Sequence, residues 1–116
     1  MCMSQLSPDI KQKKCVMIEK GVKPLTPDEY GAFLQNELTG WVAVDEKRIE
    51  KEYKFKDFKE ALAFVNRVGE IAEQENHHPD INLHGWNKVK LTLSTHVIGG
   101  LSENDFILAS KIDAAL

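Results

Sequence analysis

The sequence predicts an α+β domain in which a four-stranded antiparallel sheet carries three helices packed on one face. Segments with helix and strand periods follow one another in the order α-β-β-α-β-β-α. The two strands of each pair are separated only by short polar or glycine-containing turns, which join antiparallel strands. The strands alternate apolar with polar residues, so helices are needed to cover one sheet face. The other face stays open unless a second subunit covers it.

The first helix is predicted to begin at Pro27, because Thr26 is a good N-cap and Glu29 can close a capping box. Apolar residues then recur at helical spacing. A hairpin of two strands, 41–44 and 48–55, follows around a charged turn.

The second helix is predicted from an N-cap at Asp57 to about Glu75. Phe64 and Ile71 lie beside the centre of its apolar stripe, so they either widen the core face or contact another subunit. The stripe itself consists of Phe58, Ala61, Leu62, Val65, Val68, Gly69 and Ala72.

A second hairpin is predicted from strands 80–84 and 89–97 around a turn at 85–87. The last helix should then begin after the N-cap Ser102, with Asp105 at the third helical position. The strand before it would carry its apolar residues inward and its polar residues outward.

Three of the four histidines, His77, His78 and His96, lie where the second helix and the last strand end. Histidine titrates near neutral pH, so a cluster of histidines suits proton transfer. Strand alternation places His78 and His96 on the same outward face of the hairpin. A five-residue loop, 85–89, would set them opposite each other, and a three-residue loop, 85–87, would make them diagonal neighbours.

Glu73 lies four residues before His77, so the two side chains share a helix face if the helix runs that far. A carboxylate there could orient the imidazole or bind an amino group of a ligand. Two other interpretations stay open. The histidines could be solvated surface residues, or they could bind a metal together with His84, although no recognised metal motif is present.

Residues 1–23 show no sustained period and are predicted to form a loose arm that could lie against a single domain at 24–116.

A net charge of −3 argues against nucleic acid as the main ligand. The chain has no apolar run of membrane-spanning length and no export signal. Cys2 and Cys15 form neither a disulfide framework nor a zinc pattern, so a cytoplasmic location is expected.

Several short motifs together resemble one known family. They are Glu73-x-x-x-His77-His78-Pro79, Trp86-Asn87-Lys88-Val89, Leu93-Ser94-Thr95-His96, Gly100-Leu101-Ser102 with Asp105, Gly40-Trp41, and Tyr53 to Phe58. In these motifs, over roughly residues 25–116, the chain resembles the pterin-4a-carbinolamine dehydratases. Some members of that family also serve as a dimerisation cofactor of a homeodomain transcription factor.

The resemblance implies a reaction and a site. The reaction is the conversion of 4a-hydroxytetrahydrobiopterin to quinonoid dihydropterin and water in tetrahydrobiopterin recycling, without a metal or an organic cofactor. The implied catalytic residues are His77, His78 and His96. We expect His78 and His96 to do the central acid/base work and His77 to assist proton transfer or hold the pterin. The implied pterin-binding residues are Glu73, Pro79, Ser94, Thr95 and Val97.

The resemblance also implies assembly. A homodimer would be joined through the sheets, and a homotetramer through helices as well. The alternative function is that of a non-catalytic scaffold for a transcription factor or for the assembly of another enzyme. The arm resembles that of a longer-armed subgroup carrying Cys-x-x-Cys. Here Cys15 remains and Ile18 takes the second place, which argues against a metal or redox role for the arm.

Overall fold

A computed structural model of the protein describes residues 10–116. Within them the α-helices and strands follow the predicted order: α1 Pro27–Asn36, β1 Val42–Val44, β2 Arg48–Lys54, α2 Phe58–Glu75, β3 Asp80–His84, β4 Lys88–Leu93 and α3 Glu103–Ala114. Two short 3-10 helices, Ile10–Gln12 and His96–Ile98, complete the described elements. The strands form one antiparallel sheet in the order β1-β2-β4-β3. The predicted α+β class is confirmed.

The sheet buries one face against the helices. Along β4, the apolar residues Val89, Leu91 and Leu93 are fully buried and alternate with partly exposed polar residues. The pleat of the strand explains this alternation, because successive side chains point to opposite faces. The buried side chains join one core with residues of all three helices. The polar face of the sheet carries charged pairs, of which Lys90 with Glu50 is one.

The buried face of α2 is rotated about the helix axis relative to the predicted apolar stripe. Phe58 and Leu62 are 50% and 42% exposed, so their assignment to the core was wrong. Phe64 is buried instead, because its ring packs against those of Tyr53 and Phe55. The distances between ring centroids are 4.7 Å and 5.0 Å. These aromatic contacts stabilise a wide core face centred closer to Phe64.

The second hairpin uses the three-residue loop. His84 pairs with Lys88 and Asp80 with Thr92, which confirms the shorter of the two alternatives for the loop. The last strand is shorter than predicted and ends at Leu93 rather than Val97.

The chain reverses beyond this strand. Thr95 and Gly100 bridge to each other, with the Thr95 N–H donating to the Gly100 carbonyl at 2.8 Å. The residues between them therefore form a tight turn, and His96 lies in a 3-10 helix rather than on a strand. The expectation that His78 and His96 lie on the two paired strands of the hairpin was therefore wrong, because both residues lie beyond the strand ends.

The arm predicted for residues 1–23 is described only from residue 10 onward. Ile10 is 1% exposed and belongs to the core, and its 3-10 helix packs against α3. The division into an arm and one domain stays a prediction. Within residues 10–116, none of the helices combines the length and the hydropathy that a bilayer crossing requires.

The N-terminus of α2 depends on one side chain. The Asp57 carboxylate accepts a hydrogen bond from the Glu60 N–H at 2.8 Å. We expect Asp57→Ala to lower the free energy of unfolding by about 1 kcal/mol, because this N–H loses its partner. Urea denaturation measures the loss, and Asp57→Asn is the control, since asparagine caps about equally well. Equal losses in both variants would contradict the capping role.

Candidate active site

A cleft of about 360 Å³ lies where the end of α2, the turn after β4, the start of α3 and the arm meet. Every predicted site residue except Glu73 and Pro79 lines this cleft. The predicted residues that line it are His77, His78, Ser94, Thr95, His96 and Val97. The histidines that are distant in sequence therefore reach one small site, as the sequence predicted.

Helix α2 ends before the two adjacent histidines. Asn76 takes a left-handed conformation with φ 54° and ψ 40°, which asparagine tolerates better than most residues. The N–H groups of both Asn76 and His77 donate to the Ala72 carbonyl, which closes the helix end. His77 and His78 therefore follow the helix and point to different partners. The expectation that Glu73 and His77 share a helix face was wrong for this reason.

His77 is held by a buried carboxylate. Its Nε2–H donates to Asp105 Oδ1 at 2.7 Å, and Asp105 is 0% exposed. The other oxygen, Asp105 Oδ2, accepts from the Thr95 hydroxyl at 2.8 Å and from the Ser102 N–H at 3.0 Å. Because the carboxylate can only accept, Nε2 carries the hydrogen of a neutral His77, and Nδ1 keeps a free lone pair. The interpretation of His77 as a solvated surface histidine was therefore wrong.

His78 pairs with the carboxylate that was expected to serve His77. The distance from His78 Nε2 to Glu73 Oε2 is 2.6 Å, and the two side chains are 54% and 79% exposed. Such an exposed pair contributes little to stability. It does place a carboxylate against one ring nitrogen, which leaves the other nitrogen available to a ligand. Glu73 thus contacts His78 and does not line the cleft.

His96 lies exposed in the short 3-10 helix that follows β4. Thr95 is the N-cap of this helix and is buried, whereas Val97 is 49% exposed. Within residues 10–116, the His96 imidazole has no hydrogen-bond or ion-pair partner. Both of its ring nitrogens are therefore available to a bound molecule.

Sequence reasoning missed Asp105 as a member of the site. It placed this residue at the third position of α3, where the structure confirms a capping box with Ser102, and among the motifs of the resemblance, but gave it no role in the site. An acidic residue at that position is common and by itself indicates nothing beyond a helix start. The contact of Asp105 with His77 can be recognised only from the structure, in which His77 lies against the oxygen that does not cap the helix.

Sequence reasoning also missed the wall that the arm contributes. Cys15, Val16, Met17 and Ile18 line the cleft together with Glu75, Asn76 and Asn104. Burial, and then the charges of Glu75 and Asp105, raise the pKa of the Cys15 thiol to about 12. At neutral pH this sulfur is therefore a protonated thiol and a poor nucleophile.

Glu75 is an ionised group inside this wall. Burial alone would raise the pKa of its carboxyl. The Cys15 N–H and the Lys111 and Lys14 ammonium groups outweigh that effect and hold the pKa below its usual value. The Cys15 N–H lies 2.9 Å from Glu75 Oε1, and both lysine nitrogens lie 3.6 Å from Oε2.

A metal site of the kind considered for the four histidines is not formed by the part of the chain that the structure describes. No group of three or more histidine, cysteine, aspartate or glutamate residues there could hold a metal ion. His84 does not line the cleft. Its Nε2 lies 3.0 Å from Glu52 Oε1 on the polar side of the sheet.

Comparison with known proteins gives consistent results. The family profile described as Pterin 4 alpha carbinolamine dehydratase matches residues 23–115. A protein of Rubrobacter xylanophilus, provisionally named a pterin-4-alpha-carbinolamine dehydratase, is 47% identical over 105 residues, 90% of this chain and 96% of that protein. The mitochondrial pterin-4-alpha-carbinolamine dehydratase 2 of Arabidopsis thaliana is 42% identical over 109 residues, 90% of this chain and 58% of that protein.

Solved structures share the fold. A transcriptional coactivator/pterin dehydratase from Brucella melitensis has a TM-score of 0.72 and 36% identity, over 79% of this chain and 97% of that chain. A pterin dehydratase-like RuBisCO assembly factor of the α-carboxysome has a TM-score of 0.55 and 23% identity, over 66% of this chain and 88% of that chain, and is similar in fold alone. The resemblance found in the histidine motifs is thus confirmed, and the chain belongs to the pterin-4a-carbinolamine dehydratase family.

Proposed function

We propose that this protein dehydrates 4a-hydroxytetrahydrobiopterin, or a closely related 4a-hydroxytetrahydropterin, by histidine acid/base catalysis in tetrahydrobiopterin recycling. The observation that carries the proposal is the cleft in which His77, held by the buried Asp105, lies together with His78 and His96. A flat ring bound there would have several imidazole nitrogens within reach. Membership of the family supports the same substrate class.

The reaction needs one proton donor and one proton acceptor. The C4a–O bond breaks, and the leaving hydroxyl receives a proton and departs as water. The N5–H gives up its proton, and the electron pair forms the C4a=N5 double bond of the quinonoid dihydropterin. No net proton is gained or lost, so a pair of imidazoles that titrate near neutral pH can return to their starting states.

The geometry supports a division of the work among the histidines. His77 presents a fixed Nδ1 lone pair, which suits it to accept a hydrogen bond or the proton from the ring nitrogen. His78 and His96 are exposed, so they can protonate the leaving hydroxyl and recover a proton from solvent. Thr95 already donates its hydroxyl to Asp105, and it therefore positions His77 rather than the substrate. Ser94 and Val97 remain proposed pterin contacts.

We further propose that the protein is a cytoplasmic homo-oligomer. The polar sheet face would be the contact of a homodimer, and exposed apolar residues of α2, Phe58 and Leu62, would contribute to a homotetramer.

The second candidate function is that of a non-catalytic scaffold with a protein partner. It is favoured by the similarity to the Brucella protein, whose name combines transcriptional coactivator with pterin dehydratase.

The decisive experiment is a dehydration assay with chemically generated 4a-hydroxytetrahydropterin. We expect the protein to accelerate formation of the quinonoid product in proportion to its concentration, above the spontaneous rate. The variant His84→Gln should have the same activity, because His84 pairs with Glu52 outside the cleft. Absence of acceleration by the folded protein would exclude the dehydratase and leave the scaffold.

A further inference from the structure

Two buried side chains hold the main chain of the arm at the mouth of the cleft. Asn104, 4% exposed, accepts from the Val16 N–H at 2.9 Å through Oδ1 and donates through Nδ2 to the Val16 carbonyl. Glu75, 7% exposed, accepts from the Cys15 N–H at 2.9 Å. The amide of Asn104 thus pairs with both main-chain groups of one residue, as a neighbouring strand would.

This attachment fixes where the arm lies. Burying an amide or a carboxylate is costly unless its hydrogen-bonding groups find partners. The partners of the Asn104 amide and of Glu75 Oε1 belong to two consecutive arm residues, so these two side chains specify one position of the arm. The attachment uses main-chain groups and leaves the side chains of Val16 and Met17 free, at 63% and 87% exposure.

The exposed apolar side chains lie at a polar cleft. Val16, Met17 and Ile18 line the same space as the imidazoles and hydroxyls of the candidate active site. A pterin is a flat heteroaromatic ring with hydrogen-bonding edges and polarisable faces. Its edges require polar partners, and its faces are best covered by apolar or thioether groups. The arm supplies groups of the second kind.

We propose that residues 15–18 form a wall of the substrate cleft that contacts the pterin and raises its affinity. This inference rests on the proposed function and extends it to a segment outside the histidine motifs. Contacts to the face of the ring change little between the substrate and the transition state. Their loss should therefore raise KM and leave kcat nearly unchanged.

The first test removes the apolar contacts without touching the attachment. We expect the double variant Val16→Ser/Met17→Ser to raise KM by about 5- to 10-fold with kcat within about twofold, as lost uniform binding predicts. Both side chains are mostly exposed, so folding should be unaffected. Val22→Ser is the matched control, since Val22 is an arm residue, 47% exposed, that does not line the cleft. An unchanged KM in the double variant would overturn the inference.

The second test uses Cys15 as a probe and does not depend on turnover. In a Cys2→Ser background Cys15 is the single thiol of the chain. Because this thiol is a poor nucleophile at neutral pH, its slow alkylation is driven by excess iodoacetamide at alkaline pH and followed by mass. We expect saturating 7,8-dihydrobiopterin to slow alkylation several-fold. Asn104→Ala should speed alkylation in the absence of pterin, because it releases the arm.

The outcomes separate the two proposals. Catalysis by the wild type without protection of Cys15 would overturn the inference and leave the proposed function intact. Protection of Cys15 together with a raised KM in the double variant would support both. Absence of both catalysis and protection would overturn the proposed function, and the inference with it.

Discussion

Replacement of His78 or His96 by alanine is expected to lower kcat by about 10²-fold or more, which is the usual contribution of a positioned acid or base. Each change removes one imidazole that can exchange protons with the leaving hydroxyl. Both side chains are exposed, so the fold should survive. The loss should appear in kcat more than in KM, because proton transfer occurs in the transition state.

The measurement is the dehydration rate over a pH series, with His84→Gln as the control for loss of a histidine outside the cleft. Added imidazole should restore part of the activity of His96→Ala, since the position is open to solvent. If both alanine variants retained wild-type kcat, acid/base catalysis by these histidines would be refuted, even with an active enzyme.

Asp105→Asn is expected to lower kcat by about 10²-fold while the protein stays folded, because it changes the tautomer of His77. An amide has one accepting oxygen and one donating nitrogen. The oxygen must face the Ser102 N–H and the Thr95 hydroxyl, which donate to Asp105 Oδ2. The amide nitrogen then faces His77 Nε2, which has to accept. The hydrogen moves to Nδ1, which then has no lone pair to offer a bound substrate.

Nitrogen NMR of the His77 ring tests this directly, because protonated and unprotonated ring nitrogens differ widely in chemical shift. Asp113→Asn is the matched control. Asp113 is also on α3 and accepts from Trp41 Nε1, the Tyr53 hydroxyl and Lys51 Nζ at 2.7 to 3.1 Å, away from the cleft. It should lose stability and keep kcat. An unchanged His77 tautomer in Asp105→Asn, or equal activity losses in both variants, would contradict the positioning role.

Local patterns predicted most of the fold. The starts of α1, α2 and α3 follow from Thr26, Asp57 and Ser102, because each capping interaction spans only three residues of sequence. Strand alternation also identified the buried face of β4. The turn after Leu93 was missed because it depends on one bridge between Thr95 and Gly100, which leaves no periodic signal.

The site was predictable as a group of residues and less so as a geometry. The positions of the histidines in the sequence and the motif resemblance both identified His77, His78 and His96, and all three line one cleft in the structure. The partner of Glu73 could not be predicted, since it depends on the direction that the chain takes after α2 ends at the left-handed Asn76. The attachment of Val16 to Asn104 joins residues 88 positions apart and has no local signature. Contacts of that kind are fixed by tertiary packing, which a single sequence does not display.

Asp105 connects the geometry of the candidate active site to the stability of α3. One of its oxygens stabilises the first turn of that helix, and the other orients His77. Opening of the first turn of α3 would therefore release the imidazole in the same local unfolding event. A molecule with α3 frayed at its start would keep its core and lose the hydrogen bond that orients His77. The fraction of molecules with an oriented His77 is thus governed by the free energy of that local opening, which can be far smaller than the free energy of global unfolding.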